Sequence, residues 1–517
     1  MKGYLAMKRV LLAVLIAVLL LTMFGCGEEN LKPGDSIIID KSINTNPIGG
    51  FDGEGNLVYG GDPSVLVDGD TVYLYVGHDI SSKDSYVIPE YLCYSSKDLV
   101  NWTYHGSVLN MKNVTWADKA SAWAGQVAKH YDEAAGKDRY YFYYCSWDST
   151  DGGRQSIGVA VSDSPTGPFV DKGTALVKGS FTTDQSSAWN DIDPTVWIEV
   201  DENGQEHIYL AWGNGKFYVC ELNQDMMSLK DINGDGEVTF GQDLVSVIPP
   251  NAFTEAAWIY RRQNDQGQYY GDYYVFYAYG WRERLAYATT SDLFSGEWDK
   301  ASVIMSPSAT SNTNHPAVFD FMGKTYMIYH NGSLPGGSGY RRVACIAEIQ
   351  FKEDGSIGNI VETATAPGGT ISYLSILSGD ALTHANFANS GADGDYPYVD
   401  VVVGSGLEGA RQADSFWEIV SGKADPKMEH YVSIEAYNKA GLYLTAKADG
   451  SVVLSQDHDK SMAAAQTFKT VFGMAGEGVS FESIAFPGMY LSIVDGVACL
   501  TDGSNGAVCT FYISVVV

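Results

Sequence analysis

The chain has 517 residues, 45% of them hydrophobic, which suits two to four packed domains and argues against a disordered chain. With 63 Asp and Glu against 33 Lys and Arg, the formal net charge is −30. Such an electronegative surface repels phosphate backbones and acidic polymers; it makes nucleic acid a poor partner and leaves uncharged glycans open. Aromatic residues reach 13%, with 34 Tyr, 11 Trp and 56 Gly, a mix that fits short strands joined by tight turns better than a helical bundle.

Lys2, Lys8 and Arg9 precede an apolar run from Val10 to Phe24, short for a membrane-spanning helix and right for a secretory leader. The run ends at Gly25-Cys26 and turns polar at Gly27-Glu28-Glu29-Asn30. A small residue just before Cys resembles a bacterial lipoprotein signal over 1–26, in which Cys26 is lipidated and the protein is held at the cell surface. Met23 and Phe24 depart from that pattern, and plain signal cleavage with secretion is the alternative. Six further cysteines follow. Cys93, Cys145, Cys220 and Cys345 stand singly in apolar runs and read as buried thiols, whereas Cys499 and Cys509 are close enough to pair across a hairpin. No Cys/His spacing suits zinc.

An aromatic strand then recurs five times: VYLYVG at 72–77, YYFYYC at 140–145, IYLAWG at 208–213, YYVFYA at 273–278 and TYMIYH at 325–330. A Gly- or Asp-bearing turn precedes each copy, and another strand precedes that turn: DPSVLV, AGQVAK, DPTVWI, EAAWIY and HPAVFD. A three- or four-stranded antiparallel unit repeated in this way predicts a five-bladed β-propeller, since a lone blade cannot bury both faces. Unrelated hairpins in a sandwich would not keep such phase.

The five innermost strands open on Asp62, Ala124, Asp193, Glu255 and His315. Equivalent positions of a propeller converge on its axis, so three carboxylates and an imidazole are expected to meet in one funnel. Taken singly, Asp before Pro is a common turn opener and His315 a plausible core histidine. Together, like charges in register raise one another's pKa and are costly unless used. Paired carboxylates at an aromatic-lined funnel suit glycoside hydrolysis, one acid protonating the leaving oxygen and the other activating water.

Over about 45–360 the chain resembles glycoside hydrolase family 43, in its arabinofuranosidase and β-xylosidase branch. The resemblance rests on GGDPSVLVDGDTVYLYVGHD, AWAGQVAKHYDEAAGKDRYYFYY, NDIDPTVW, TEAAWIYRR and TNHPAVFDFMGKTYMIYHNG. It implies an inverting enzyme acting on neutral pentose-containing plant polysaccharide. Asp62 would be the general base, Asp193 the residue that orients the acid and tunes its pKa, and Glu255 the general acid. Relatives often read EGPW where this chain has Glu255-Ala256-Ala257-Trp258. The resemblance further implies Trp123 and Gln126 lining the funnel, and Arg341 or Arg342 closing it. It implies His315 under the sugar, helping to hold a structural Ca²⁺ through water, with no cofactor required. A xylosidase sharing these residues, a non-catalytic glycan-binding propeller and a five-bladed fructan hydrolase are the competing readings. The last would want an NDPNG-like segment near the N-terminus, which is absent from the sequence.

Asp231-Ile-Asn-Gly-Asp-Gly-Glu opens like a calcium loop, but its twelfth position is Gln242, so an acidic turn is the better reading. After a Thr-, Ala-, Pro- and Gly-rich linker to about 372, YVSIEAYNKAGLYLTAKADGSVVLS from 431 matches GVSFESIAFPGMYLSIVDGVACLT from 478. This resembles an arabinofuranose-binding β-trefoil over 373–517, its third repeat guessed from FWEIVSG. The Arg and His that grip the sugar in that family are replaced here by Thr445-Ala446 and Ser492-Ile493, which predicts a packing domain.

Overall fold

A computed structural model describes residues 31–264, 266–384, 399–404, 409–456 and 460–516. The leader at 1–26, Cys26 included, lies outside the described residues. Among the described residues no helix is long and apolar enough to cross a membrane.

Five antiparallel sheets follow one another along the chain. The first four have four strands each, beginning at Gly60–Asp68, Gly125–Asp132, Thr195–Val200 and Phe253–Gln263, and the fifth has three, beginning at Ala317–Phe321. Each expected aromatic strand is the second of its sheet. Strand alternation explains why these runs are aromatic without a break. In Lys137–Asp148, Tyr140, Phe142 and Tyr144 pack toward the first blade, while Tyr141, Tyr143 and Cys145 pack toward the third. A strand with a blade on either side has no solvent face, so a polar alternation would leave buried groups unpaired.

The circle is closed by a cluster joining the first, fourth and fifth blades and by the chain ahead of the first strand. Ile48 N–H donates to the Ala344 carbonyl at 2.9 Å, and the Asn46 amide both donates to Ile346 O and accepts from Ile346 N–H. Residues 46–48 thus border the outer strand of the three-stranded blade.

The second domain is a β-trefoil. Strands Ile371–Ile376, Phe416–Ser421, Tyr431–Ala436, Phe468–Phe472, Val479–Ser483 and Phe511–Val516 pair in that cyclic order, the last returning to the first. Three hairpin pairs cap this barrel: Ala381–His384 with Val399–Gly404, Leu442–Ala446 with Val452–Gln456, and Tyr490–Val494 with Val497–Thr501. The repeat guessed from FWEIVSG is real, and that motif is its fourth strand. Thr445, Ala446 and Ser492 are buried inside strands; Thr445 Oγ1 bonds Ser455 Oγ at 2.6 Å and Ser492 Oγ bonds Thr501 Oγ1 at 2.7 Å.

The domains meet through polar and apolar contacts. Gln456 Nε2 donates to the carbonyls of Gly332 and Gly337, Ala364 N–H to Tyr437 O, and Ile37 N–H to Thr470 O. Two sequence readings of the chain's chemistry resolve here. Cys499 and Cys509 are not paired: both are free thiols, and Cys509 Sγ turns to the Asn505 and Gly506 carbonyls. The Asp231 loop is an acidic turn, its carboxylate accepting from Gly234 N–H and Gly236 N–H at 2.7 Å, while Asp243 accepts from Ile232 N–H.

Candidate active site

Backbone irregularities at the inner strands aim the acids. The pairing of the first strand breaks between Gly61 and Ser64, and Asp62 there has φ 49°. The fourth blade breaks between Glu255 and Trp258, with Ala256 at φ 62°, and Asp193 sits just ahead of its strand at φ 60°. Bulges of this kind turn a side chain off the pleat toward the axis. Ala256 stands where relatives often carry Gly, and a left-handed φ is what Gly adopts without strain.

The three acids line one cavity of about 460 Å³, together with Trp123, Trp147, Trp189, Trp281, Tyr86, Tyr340, Asn214, Glu283, Thr313 and Arg342. Trp189 and Trp281 are 51% and 72% exposed, so the mouth is an open aromatic rim above a polar floor. Such faces suit the apolar flats of a sugar ring. A cleft of about 520 Å³ between the fifth blade and the trefoil holds no comparable group of acids.

Asp62 is held as an anion. Arg342 Nη1 donates to its Oδ1 at 2.6 Å, while Nε and Nη2 grip Asp79 at 2.9 and 3.0 Å. Burial pushes the Asp62 carboxyl up, but the charge and hydrogen bond of Arg342 outweigh it and leave the carboxyl below its ordinary value. Tyr86 lies under the guanidinium, 4.9 Å from ring centroid to Cζ. His330, fully buried, accepts from Asp62 N–H at Nδ1 and donates from Nε2 to Thr313 O, and burial pulls its pKa down to about 3. Its ring is therefore neutral.

Glu255 and Asp193 are pushed the other way. Burial and then the Asp62 charge raise Glu255, whose Oε2 accepts from Asn214 Nδ2 at 2.6 Å. Burial, Glu255 and Asp62 raise Asp193 strongly. Asp193 Oδ2 accepts from Ala256 N–H at 2.8 Å, so it grips the backbone next to Glu255. Asp62 raises Glu255 by its charge, and Asp193 and Glu255 interact as neighbouring carboxyls in the same cavity.

The other expected residues divide. Trp123 lines the cavity; Gln126 does not, because both ends of its amide are engaged by the Val196 backbone, at 2.9 and 3.2 Å. Of the two arginines Arg342 reaches Asp62, whereas Arg341 is turned to the carbonyls of Gly336 and Ser81. His315 is buried near Asp62, with burial pulling its pKa down to about 4, and it is not among the lining residues. Among the described residues no three His, Cys, Asp or Glu side chains are grouped to hold a metal, and no step below uses one. Glu283 and Asp79 were missed by sequence. Glu283 immediately precedes the third strand of its blade, Arg284–Thr290, and Asp79 immediately follows the second strand of the first, Thr71–His78, outside the innermost-strand register that exposed the others.

The family model for glycosyl hydrolases family 43 matches residues 58–357, and that for the alpha-L-arabinofuranosidase B domain matches 387–506. A xylosidase/arabinosidase of Bacteroides ovatus is 29% identical over 58% of this chain and 94% of its own length. An arabinoxylan arabinofuranohydrolase of Paenibacillus polymyxa is 26% identical over 73% of this chain and 65% of its own. A solved family 43 arabinoxylan arabinofuranohydrolase of Bacillus subtilis, in complex with cellotetraose, aligns with 91% of this chain and 93% of its own, at 20% identity and a TM-score of 0.49. With the propeller, its funnel of carboxyls and a family model covering more than half its length, the chain belongs to glycosyl hydrolases family 43 and is a glycoside hydrolase of the arabinofuranosidase/xylosidase type.

Proposed function

We propose that the enzyme releases terminal α-L-arabinofuranosyl residues from arabinoxylan or arabinan by inversion, with Asp62 as base and Glu255 as acid. The observation that carries this reading is the electrostatic split across one cavity: Asp62 pulled down by Arg342, Glu255 pushed up by burial and by Asp62. Two carboxyls in opposite protonation states are what single-displacement hydrolysis needs. Glu255 gives its proton to the glycosidic oxygen as the bond to the anomeric carbon breaks. Water attacks that carbon from the far side and passes a proton to Asp62. Asp193, through Ala256 N–H, keeps the acid in place. The chemistry asks for no cofactor.

The arabinofuranosidase B match at the C-terminus favours arabinose, and the trefoil acts here as a packing domain, since Thr445 and Ser492 are buried and bonded within it. A β-xylosidase is the second reading, favoured by relatives named xylosidase/arabinosidase. Side-by-side turnover of nitrophenyl arabinofuranoside and nitrophenyl xyloside separates them: release from the first alone supports the proposal, release from the second alone replaces it. We place the enzyme outside the cell, tethered by lipid on Cys26. A Cys26→Ala chain should then leave the membrane fraction, and unchanged partitioning would rule the anchor out.

A further inference from the structure

The six aromatic rings that line the cavity fall into two groups. Tyr340, Tyr86, Trp123 and Trp147 pack on one another in a row, with successive centroids 4.8, 6.5 and 5.7 Å apart. Tyr86 in that row lies under the Arg342 guanidinium that holds Asp62. Trp189 and Trp281 stand outside the row and are the most exposed of the six. Both flank the acid. Trp189 precedes Asn190, whose Nδ2 donates to the Asn214 carbonyl, and Asn214 Nδ2 donates in turn to Glu255 Oε2 at 2.6 Å. Trp281 lies in the turn after Tyr269–Tyr279, the strand paired with the one that carries Glu255. Arg282, next to it, directs Nη2 to the Ser308 and Ser311 carbonyls ahead of the fifth blade. Glu255 therefore sits between a loop of the third blade and a turn of the fourth, each presenting an indole at the mouth.

In an inverting displacement, water and the leaving group lie on opposite faces of the anomeric carbon. With the water drawn to Asp62, the leaving oxygen and whatever it carries point toward Glu255. We propose that Trp189 and Trp281 determine specificity for the leaving group: their faces stack sugars of the neutral polysaccharide chain that bears the arabinosyl branch, while the inner row of rings walls the arabinose. The inference rests on the base and acid roles given to Asp62 and Glu255. An indole left in water exposes a broad apolar face, and the C–H face of a sugar covers it without stranding a polar group. Neither ring adds charge to a cavity that already holds four carboxyls against one guanidinium, which suits an uncharged chain. Rings on both sides of the acid suit a chain that runs on in both directions from the branch point, where a chain end would need only one.

The test is Trp189→Ala and Trp281→Ala in the full chain, assayed on arabinoxylan and on methyl arabinofuranoside, which keeps the branch sugar and lacks the chain. For each variant, kcat/KM on arabinoxylan divided by that on the methyl glycoside should fall about tenfold, chiefly through a raised KM. An unchanged ratio would overturn the proposal, and so would a fall carried by kcat alone. Trp189→Phe and Trp281→Phe keep a flat ring and should hold the ratio within about twofold of the unaltered enzyme. Phenylalanine as harmful as alanine would refute stacking. Trp189→Leu and Trp281→Leu, apolar but not flat, serve where an alanine variant does not fold, and the same fall is expected of them. Release of xylose in place of arabinose from arabinoxylan by the unaltered enzyme would sink the underlying reading and the inference with it. Arabinose release with an unchanged ratio in the variants would sink the platform alone.

Discussion

Replacing Arg342 by Lys keeps the positive charge and removes the fork that serves two carboxylates at once. Arg342 reaches Asp62 at 2.6 Å and Asp79 at 2.9 and 3.0 Å, and one ammonium cannot satisfy that geometry. Asp79 is fully buried, so a lysine is expected to stay with it and withdraw from Asp62. At an effective dielectric of about 20, unit charges roughly 4 Å apart attract by about 4.2 kcal/mol, and at roughly 6 Å by about 2.8. The difference, about 1.4 kcal/mol, is about one pKa unit. Asp62 is lowered by Arg342, so weaker attraction raises it, and the acidic limb of kcat/KM should move up by about one unit. Loss of one charge-assisted bond at Asp79 should also lower stability by about 1.5–3 kcal/mol. Rates on nitrophenyl arabinofuranoside from pH 3 to 8, with a denaturant melt, measure both. An acidic limb that stays in place while the protein is destabilised would refute the claim that Arg342 sets the ionisation of Asp62.

Three further outcomes follow from the geometry. Asp193→Asn keeps an oxygen acceptor for Ala256 N–H, so it should lose less kcat than Asp193→Ala; equal losses would mean that charge, not placement, is what Asp193 supplies. Burial raises Glu418 and Glu435, in the trefoil, from 4.5 to about 7. Their folded pKa exceeds the unfolded one, so they favour the folded state below about pH 4.5, and that contribution is lost as pH rises through 7; it amounts to roughly 3 kcal/mol for fully buried Glu435. Calorimetry at pH 5 and pH 8 should show the trefoil transition falling, and Glu435→Gln should flatten that fall. Gly441 has φ 86° and packs so closely on the propeller that an added Cβ would stand 2.8 Å from Ser333 Cα. Gly441→Ala should therefore loosen the domains and speed proteolysis of the linker near 360–370 while leaving small-substrate turnover intact; an unchanged digest would show that the interface does not depend on that contact.

The propeller was legible because its strands are buried on both faces, which writes an aromatic run into every blade, and because the acids open the innermost strands in phase. Glu283 was not, since Arg282-Glu283-Arg284 reads as a solvated turn and only the fold carries it inward. Asp79 was hidden for another reason: its partner, Arg342, lies at the far end of the propeller sequence, and closure of the circle brings the first and fifth blades together. Gln126 misled through alternation. Trp123 lies in the loop ahead of the strand and faces the funnel, while Gln126, on the strand, meets the neighbouring Val196 backbone. In the trefoil the first repeat has Leu382-Thr383-His384 in place of a Tyr-Leu pair, so its period was masked while its fold was kept.

Proton NMR during hydrolysis of nitrophenyl α-L-arabinofuranoside tests the division of labour between Asp62 and Glu255 most directly. An ionised base and a protonated acid acting on opposite faces of one sugar must deliver the β-anomer first, with the α-anomer growing in only by mutarotation. Initial release of the α-anomer would mean that a carboxylate attacks the sugar itself, and would contradict the account.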